Sequence, residues 1–139
     1  MNANEAALRR QEALRWLTVA GEDIRVAGAC LRMEPPAVGV AAYHAHQAAE
    51  KLLKGFLVVA AVDFRKTHDL DWLANAALPQ YPDLQEALDV LRPLTSWGVA
   101  YRYPGPEPEP EPLPPTPDIE RVIDLLGKLA VRLRTLSAA

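Results

Sequence analysis

The amino-acid sequence predicts an all-α fold, an antiparallel up-and-down helical bundle of four main helices plus a short helix. Apolar residues recur every three or four positions along four separate segments, which is the spacing of a helix packed against a core. No segment alternates apolar and polar residues as a half-buried strand does, and prolines fall between the periodic segments. With 139 residues, the chain is long enough to form one helical domain over residues 1–139.

The first two predicted helices are long and amphipathic. The first extends from about Glu5 to Met33 and ends before Pro35-Pro36, because proline cannot continue a helix. The second extends from about Ala37 to Ala61, and Gly55 near its apolar edge predicts the close approach of a neighbouring helix. The buried stripes are Ala13, Trp16, Leu17, Ala20, Ile24, Ala27 and Leu31 in the first helix, and Ala41, Ala45, Ala48, Leu52, Phe56 and Val59 in the second.

Two further elements are predicted before the proline-rich part of the chain. A short helix extends from about Asp69 to Ala77 and stops before Pro79. The next main helix begins at Pro82-Asp83, residue types that suit a first helical turn. Pro93 is expected to kink or end this helix, although the apolar stripe continues beyond it. The residues of that stripe are Leu84, Ala87, Leu88, Leu91, Leu94, Trp97 and Tyr101.

Residues 104–117 hold eight of the thirteen prolines, interspersed with glutamates. This composition predicts an exposed, stiff, polyproline-like loop, which serves either as a spacer or as a proline-motif ligand for a partner domain. Thr116 is expected to cap the last helix, with Pro117 in its first position. The buried stripe of that helix is predicted to be Ile119, Val122, Leu126, Leu129, Leu133 and Leu136.

The composition disfavours several classes of protein. A net charge of −3 argues against a protein that binds nucleic acid through bulk positive charge. Cys30 is the only cysteine, so neither an intramolecular disulfide nor a zinc site with several thiolates is expected. The polar N-terminus is unlike a signal peptide, and no apolar run approaches the ~20 residues of a membrane span. We therefore expect a cytoplasmic location and no contact with a membrane.

One side of the second helix carries side chains that can bind phosphate or move protons. Because residues three, four and seven positions apart align on a helix, they share a limited arc. They are Tyr43, His44, Gln47, Glu50, Lys51 and Lys54. Three interpretations of this face are open: a ligand-binding or nucleic-acid-binding surface, a solvated face with a Glu50–Lys54 ion pair, and the seam of a homodimer.

Two motifs outside this helix are further candidates. His68 stands at the start of the short helix, where it either satisfies backbone groups beside a capping Thr67 or Asp69, or forms a general base with Asp69. Arg102 lies between two tyrosines, where it either clamps a phosphate and stacks on a base, or packs over the end of the bundle. The candidate ligand-binding residues are therefore His44, Gln47, Lys51, Lys54, His68 and Arg102.

We expect no metal site and no cofactor. His44 and His46 are two positions apart, so a helix directs them to different sides, whereas a metalloprotease helix places its histidines four positions apart. The sequence contains no glycine-rich phosphate loop, nucleophile elbow or paired-carboxylate signature.

Several blocks of the sequence together resemble the HEPN (higher eukaryotes and prokaryotes nucleotide-binding) domain family. They are Trp16-x6-Asp23, the run from Tyr43 to Lys54, the run from Lys66 to Leu70, and Arg102-Tyr103-Pro104. The resemblance extends from about Leu14 to Leu133. It implies an all-helical bundle that forms a homodimer, and a small nucleotidyltransferase as partner, often in a two-gene or toxin–antitoxin-like module.

The resemblance also implies a ribonuclease motif that this chain lacks. Many HEPN proteins are metal-independent ribonucleases with an Arg-x4-6-His motif brought together across a dimer. The last histidine here is His68, and Arg65 precedes it by only three positions. We therefore expect the branch without this motif, a non-catalytic module that binds a nucleotide or phosphate, or a protein partner. The alternatives are an atypical ribonuclease that uses His44, His68 or Arg102, and a purely structural homo-oligomeric bundle.

Overall fold

The computed structural model describes residues 1–101 and 112–138, and within them all the regular structure is helical, as the sequence predicts. None of the helices in these ranges is long and apolar enough to cross a membrane. The helices are α1 (Ala3–Leu31), α2 (Val38–Val59), α3 (Leu70–Ala77), α4 (Gln85–Leu91), α5 (Trp97–Ala100) and α6 (Thr116–Ala138), and 3-10 turns cover Pro82–Leu84 and Arg92–Ser96. Most of the predicted proline-rich loop lies outside the described residues.

The ends of α1 follow from local sequence. Asn2 caps its first turn by accepting a hydrogen bond from the Glu5 backbone N–H at 2.9 Å, and the Glu5 carboxylate accepts from the Asn2 backbone N–H in return. The helix ends at Leu31, ahead of the two prolines. Its buried face is lined mostly by small residues, namely Ala13, Leu17, Ala20, Asp23, Ala27 and Cys30.

Helix α2 lies at the centre of the bundle and packs against α1, α3, α5 and α6. It is therefore buried around most of its circumference rather than along one stripe, and the buried set includes Leu53 and Leu57 as well as the predicted Leu52 and Phe56. The helix ends with Ala61 in the left-handed conformation (φ 58°), which lets the next backbone N–H bond the Leu57 carbonyl at 2.9 Å.

The two ends of the bundle fix the directions of the long helices. Cys30, Ala41 and Ile119 share one apolar cluster, which joins the end of α1 to the beginnings of α2 and α6. At the other end, a Cβ atom at Gly55 would lie 2.6 Å from Cδ2 of Leu133. Helix α1 is therefore antiparallel to α2 and α6, which run parallel to each other. The close approach of a neighbouring helix at Gly55 is confirmed.

The fourth side of the bundle contains more breaks than the helix that the sequence predicts from Pro82 with a kink or end at Pro93, and the break at Pro93 is confirmed. Short helices separated by turns fill the stretch between Leu70 and Ala100. Prolines explain the breaks, since Pro82 begins one 3-10 turn and Pro93 lies in the second, where the backbone N–H of an α-helix is missing. Tyr81 fastens this side to α2, because its hydroxyl donates to the Phe56 carbonyl at 2.8 Å.

Candidate functional site

The first polar cluster links α1 to α2 and is built on Asp23. This carboxylate lies in the buried stripe of α1, where an unpaired charge would be costly. It accepts from Nδ1 of His44 at 2.9 Å and from Nζ of Lys51 at 2.5 Å. The two partners are seven positions apart on α2 and therefore share a face. Their side chains remain partly exposed, at 26% for His44 and 20% for Lys51. We call these three residues the Asp23 cluster.

The second polar cluster links α2 to the connection before α3 and is built on Glu50. One carboxylate oxygen accepts from Nζ of Lys54 at 3.1 Å, and the other accepts from Nδ1 of His68 at 2.6 Å. The side chains of Glu50 and Lys54 are only 6% and 9% exposed, whereas the His68 side chain is 81% exposed. The Lys54 ammonium also lies 5.7 Å from the centre of the Trp16 ring. We call Glu50, Lys54 and His68 the Glu50 cluster.

A third histidine, His46, is buried beside the Glu50 cluster. Its Nε2 lies 3.2 Å from the His68 carbonyl oxygen, and its Nδ1 lies 3.3 Å from the amide nitrogen of Gln47. Because a carbonyl can only accept, this network assigns the proton to Nε2 and leaves Nδ1 to accept from the amide. Burial lowers the pKa of His46, which favours the same neutral ring.

The His46 ring packs against a glycine of α5, Gly98. A Cβ atom at Gly98 would lie 2.5 Å from Cε1 of His46, closer than side-chain atoms approach each other. The glycine therefore allows the helix backbone to contact the imidazole directly. Through this contact, His46 joins α2, α5 and the connection before α3.

The histidine of each cluster contacts its carboxylate through the same ring nitrogen, Nδ1. In each, a buried carboxylate holds Nδ1 of the ring, which fixes the ring orientation and the tautomer. Nε2 of His44 and of His68 forms no hydrogen bond with the described residues, so this atom is available to a ligand or a proton. A protonated imidazole held in this way donates Nδ1–H to the carboxylate and Nε2–H to an outside acceptor.

The structure brings together most of the residues that the sequence selects. His44 and Lys51 meet at Asp23, Lys54 and His68 meet at Glu50, and Gln47 contacts His46 between them. Arg102 lies outside the described residues. The interpretation of this side of α2 as a solvated face is wrong, because Glu50 and Lys54 are buried, although the ion pair between them is present.

The start of α3 resolves the two roles considered for His68. Asp69 caps the helix by accepting from the backbone N–H groups of Asp71 and Trp72 at 2.9 and 3.3 Å. The His68 ring turns instead to Glu50. A general base made of His68 and Asp69 is therefore not formed, and the capping role is confirmed for Asp69.

Sequence reasoning missed Asp23 and Glu50 as the residues that organise the site. A signal was present for both. Asp23 interrupts the alanine stripe between Ala20 and Ala27, and a lone acid on a buried face requires a partner. Glu50 lies on the helix face that also carries Leu53 and Leu57, so that face is not a solvated one.

Comparison with known proteins places the chain in a family. Within residues 1–101 and 112–138, no group of three or more His, Cys, Asp or Glu side chains is arranged to hold a metal ion. No curated protein and no solved structure matches the chain significantly. The family model of the HEPN domain matches residues 13–131, which include both polar clusters and most of the helical core. Because this match covers most of the sequence, the chain belongs to the HEPN domain family.

Proposed function

We propose that the chain is a HEPN module that binds the phosphate groups of a nucleotide without cutting RNA. The observation that carries this proposal is the pair of imidazoles, His44 and His68, whose Nδ1 atoms are held by buried carboxylates. Carboxylate-held imidazoles recur at sites that bind anions or move protons, because the second ring nitrogen is oriented and open. HEPN domains as a family are nucleotide-binding or ribonuclease-type modules, which supports the same class of ligand.

The charges of the two clusters support a phosphate ligand. In each cluster one carboxylate and one ammonium cancel, so a neutral imidazole gives no net charge. Protonation of His44 or His68 makes its cluster positive and turns Nε2 into a hydrogen-bond donor. A phosphate that accepts from this Nε2–H therefore binds the protonated form of the ring.

The candidate residues then divide by accessibility. His44, Lys51 and His68 reach the surface and are the proposed contacts, with Gln47 beside them. Lys54 forms a buried ion pair with Glu50 and neutralises its charge, so we assign Lys54 an indirect part in binding. Arg102 follows the last residue described after α5 and remains a proposed phosphate contact.

The first prediction is a proton-linked binding of ATP. Calorimetric titration of the purified chain with ATP is expected to show binding. The heat should also vary with the ionisation enthalpy of the buffer, because protons are taken up. His44→Ala and His68→Ala are each expected to weaken binding by about tenfold, the effect of losing one charge-assisted hydrogen bond.

Lys128→Ala is the matched control, since this lysine is exposed on α6 and forms no ion pair with the described residues. The control is expected to bind ATP as the wild type does. An absence of measurable ATP binding by the wild type at millimolar ligand, or equal binding by all the variants, would contradict the proposal. Inorganic phosphate in parallel separates recognition of the phosphate alone from recognition of the nucleotide.

We further propose that the module forms a homodimer and partners a small nucleotidyltransferase, in a two-gene arrangement of the toxin–antitoxin type. Membership of the HEPN family supports both partners. The oligomeric state is read from light scattering during size-exclusion chromatography. A small nucleotidyltransferase encoded beside the gene, co-expressed with a tag on one chain only, is expected to co-elute. Separate elution of the two proteins would contradict this part.

A second candidate function is an atypical, metal-independent ribonuclease. The observation that favours it is again the two carboxylate-held imidazoles, because a general acid and a general base are the groups that phosphodiester cleavage needs. Purified chain is incubated with single-stranded and structured RNA in the presence of a chelator. Cleavage abolished by His44→Ala or His68→Ala supports this function, and cleavage that survives both substitutions points to a contaminant.

A further inference from the structure

We propose that His46 is a positioning residue of the Glu50 cluster, which holds the backbone at His68 so that the His68 ring meets Glu50. This inference rests on the proposed function, because it assigns His68 a task at the phosphate site. His46 itself is 1% exposed, so its ring is not accessible to a ligand at the surface. It acts only through the residue it holds.

The exposure of His68 shows why it needs a support. Its side chain is 81% exposed, so packing against neighbours does not determine where the ring lies. The ring position therefore depends on the backbone of the connection between α2 and α3. That backbone is fixed at the His68 carbonyl by Nε2 of His46 at 3.2 Å, and at the Leu70 N–H by the Thr95 hydroxyl at 3.0 Å.

The His46 ring is itself held on more than one side. Gln47 donates to its Nδ1, and the backbone of Gly98 lies against the ring. Two charged groups of the Glu50 cluster also lie near the ring: the Glu50 carboxylate raises the pKa of His46, and the Lys54 ammonium lowers it. A ring restrained in this way presents Nε2–H in one direction, towards the His68 carbonyl. Displacement of the ring releases that carbonyl and with it the geometry of the hydrogen bond between His68 and Glu50.

The tautomer of the His68 ring reports whether its hydrogen bond with Glu50 is formed, and it can be observed without a ligand. An imidazole held through Nδ1–H by Glu50 keeps its proton on Nδ1, whereas a released ring in water favours Nε2–H. Long-range proton–nitrogen NMR of the full chain at alkaline pH distinguishes the two forms. His46→Gln retains an amide donor near the position of Nε2, and His46→Phe retains an aromatic ring without a donor.

We expect wild type and His46→Gln to show the Nδ1–H form at His68, and His46→Phe to show the Nε2–H form. His44 serves as the internal control, because Asp23 holds it independently and its signal should stay unchanged. Retention of the Nδ1–H form at His68 in a folded His46→Phe variant would overturn the proposal. If that variant does not fold, Gly98→Ala, which displaces the same ring, is expected to show the Nε2–H form at His68. Retention of the Nδ1–H form in Gly98→Ala would then overturn the proposal.

ATP titration of the same variants separates this inference from the proposed function. His46→Phe is expected to bind about tenfold more weakly than wild type, as His68→Ala does, while His46→Gln binds normally. A switch of tautomer in a protein that never bound ATP would support the positioning role and contradict the phosphate site. Loss of ATP binding with an unchanged His68 tautomer would contradict the positioning role alone.

Discussion

The Asp23 cluster and the Glu50 cluster contain the same three kinds of group, a carboxylate, an ammonium and an imidazole, yet they expose different members. In the Asp23 cluster, His44 and Lys51 both keep partial access to solvent. In the Glu50 cluster the imidazole of His68 is mostly exposed, while the side chain of Lys54 is buried. The comparison shows that lysines on adjacent turns of one helix can both neutralise a buried carboxylate while only one of them, Lys51, stays partly exposed.

The largest expected difference between the two clusters is in the free energy of unfolding that is lost when each carboxylate is replaced by an amide. Glu50→Gln leaves the Lys54 ammonium buried without its counter-charge, and we expect a loss of about 3–5 kcal/mol in the free energy of unfolding. Asp23→Asn should cost only about 1–2 kcal/mol, because Lys51 can turn towards water and the amide still accepts a hydrogen bond. Urea unfolding of the variants measures both losses.

The control for these variants is Glu22→Gln, which breaks an exposed ion pair with Arg25 and should cost less than about 0.5 kcal/mol. The double variant Glu50→Gln/Lys54→Met is expected to recover much of the stability that Glu50→Gln loses, since the orphaned charge is gone. Equal losses for Glu50→Gln and Asp23→Asn would show that the two clusters are energetically alike.

Gly98→Ala should disturb one cluster and leave the other intact. The added methyl group meets the His46 ring, and overpacking of this kind costs about 1–3 kcal/mol in the free energy of unfolding. Gly127→Ala is the matched control, because nothing lies within 4 Å of its Cβ position in α6. There the change should stabilise the protein by about 0.5–1 kcal/mol through helix propensity. Equal effects at the two glycines would contradict the contact with His46.

The smallest of these effects is expected from the protonation of His46. Burial lowers its pKa below the ordinary value of 6.5, so below that pH the unfolded chain binds more protons at this residue than the folded chain does. The contribution of His46 to stability is therefore complete above pH 6.5 and is lost as the pH falls from there towards its lowered pKa. Denaturant unfolding between pH 7.5 and 5.5 should show a steeper loss for wild type than for His46→Gln. Parallel pH profiles would argue against a buried neutral ring.

Helical periodicity was enough to predict the three long helices, because their apolar stripes continue over many turns without a proline. The segment after Ala77 was harder, since Pro82 and Pro93 break the backbone hydrogen bonding while the apolar spacing continues. Periodicity records which side chains are buried, and it carries little information on whether the backbone between them stays α-helical. The predicted fourth helix, with its kink or end at Pro93, and the observed short helices bury similar stripes, including Leu88, Leu91 and Leu94.

The site was predicted less completely than the fold, for an energetic reason. Glu50 and Lys54 are four positions apart, a spacing that most often marks an exposed ion pair, and only their tertiary neighbours show that they are buried. The contact of His46 with Gly98 joins residues far apart in sequence and follows no local pattern. The pairing of His44 with Asp23 likewise depends on how α1 lies against α2, which the residues of one helix do not determine.

The position of Asp23 also bears on how α1 finds its place along α2. Many residues at this interface are alanines, whose low ridges give similar packing when one helix slides past the other by a turn, about 5.4 Å. Such a slide would carry the Asp23 carboxylate away from both His44 and Lys51 and leave it buried and alone. The cluster therefore acts as a register mark: it discriminates between alignments of the two helices that apolar packing alone would leave nearly equal in energy.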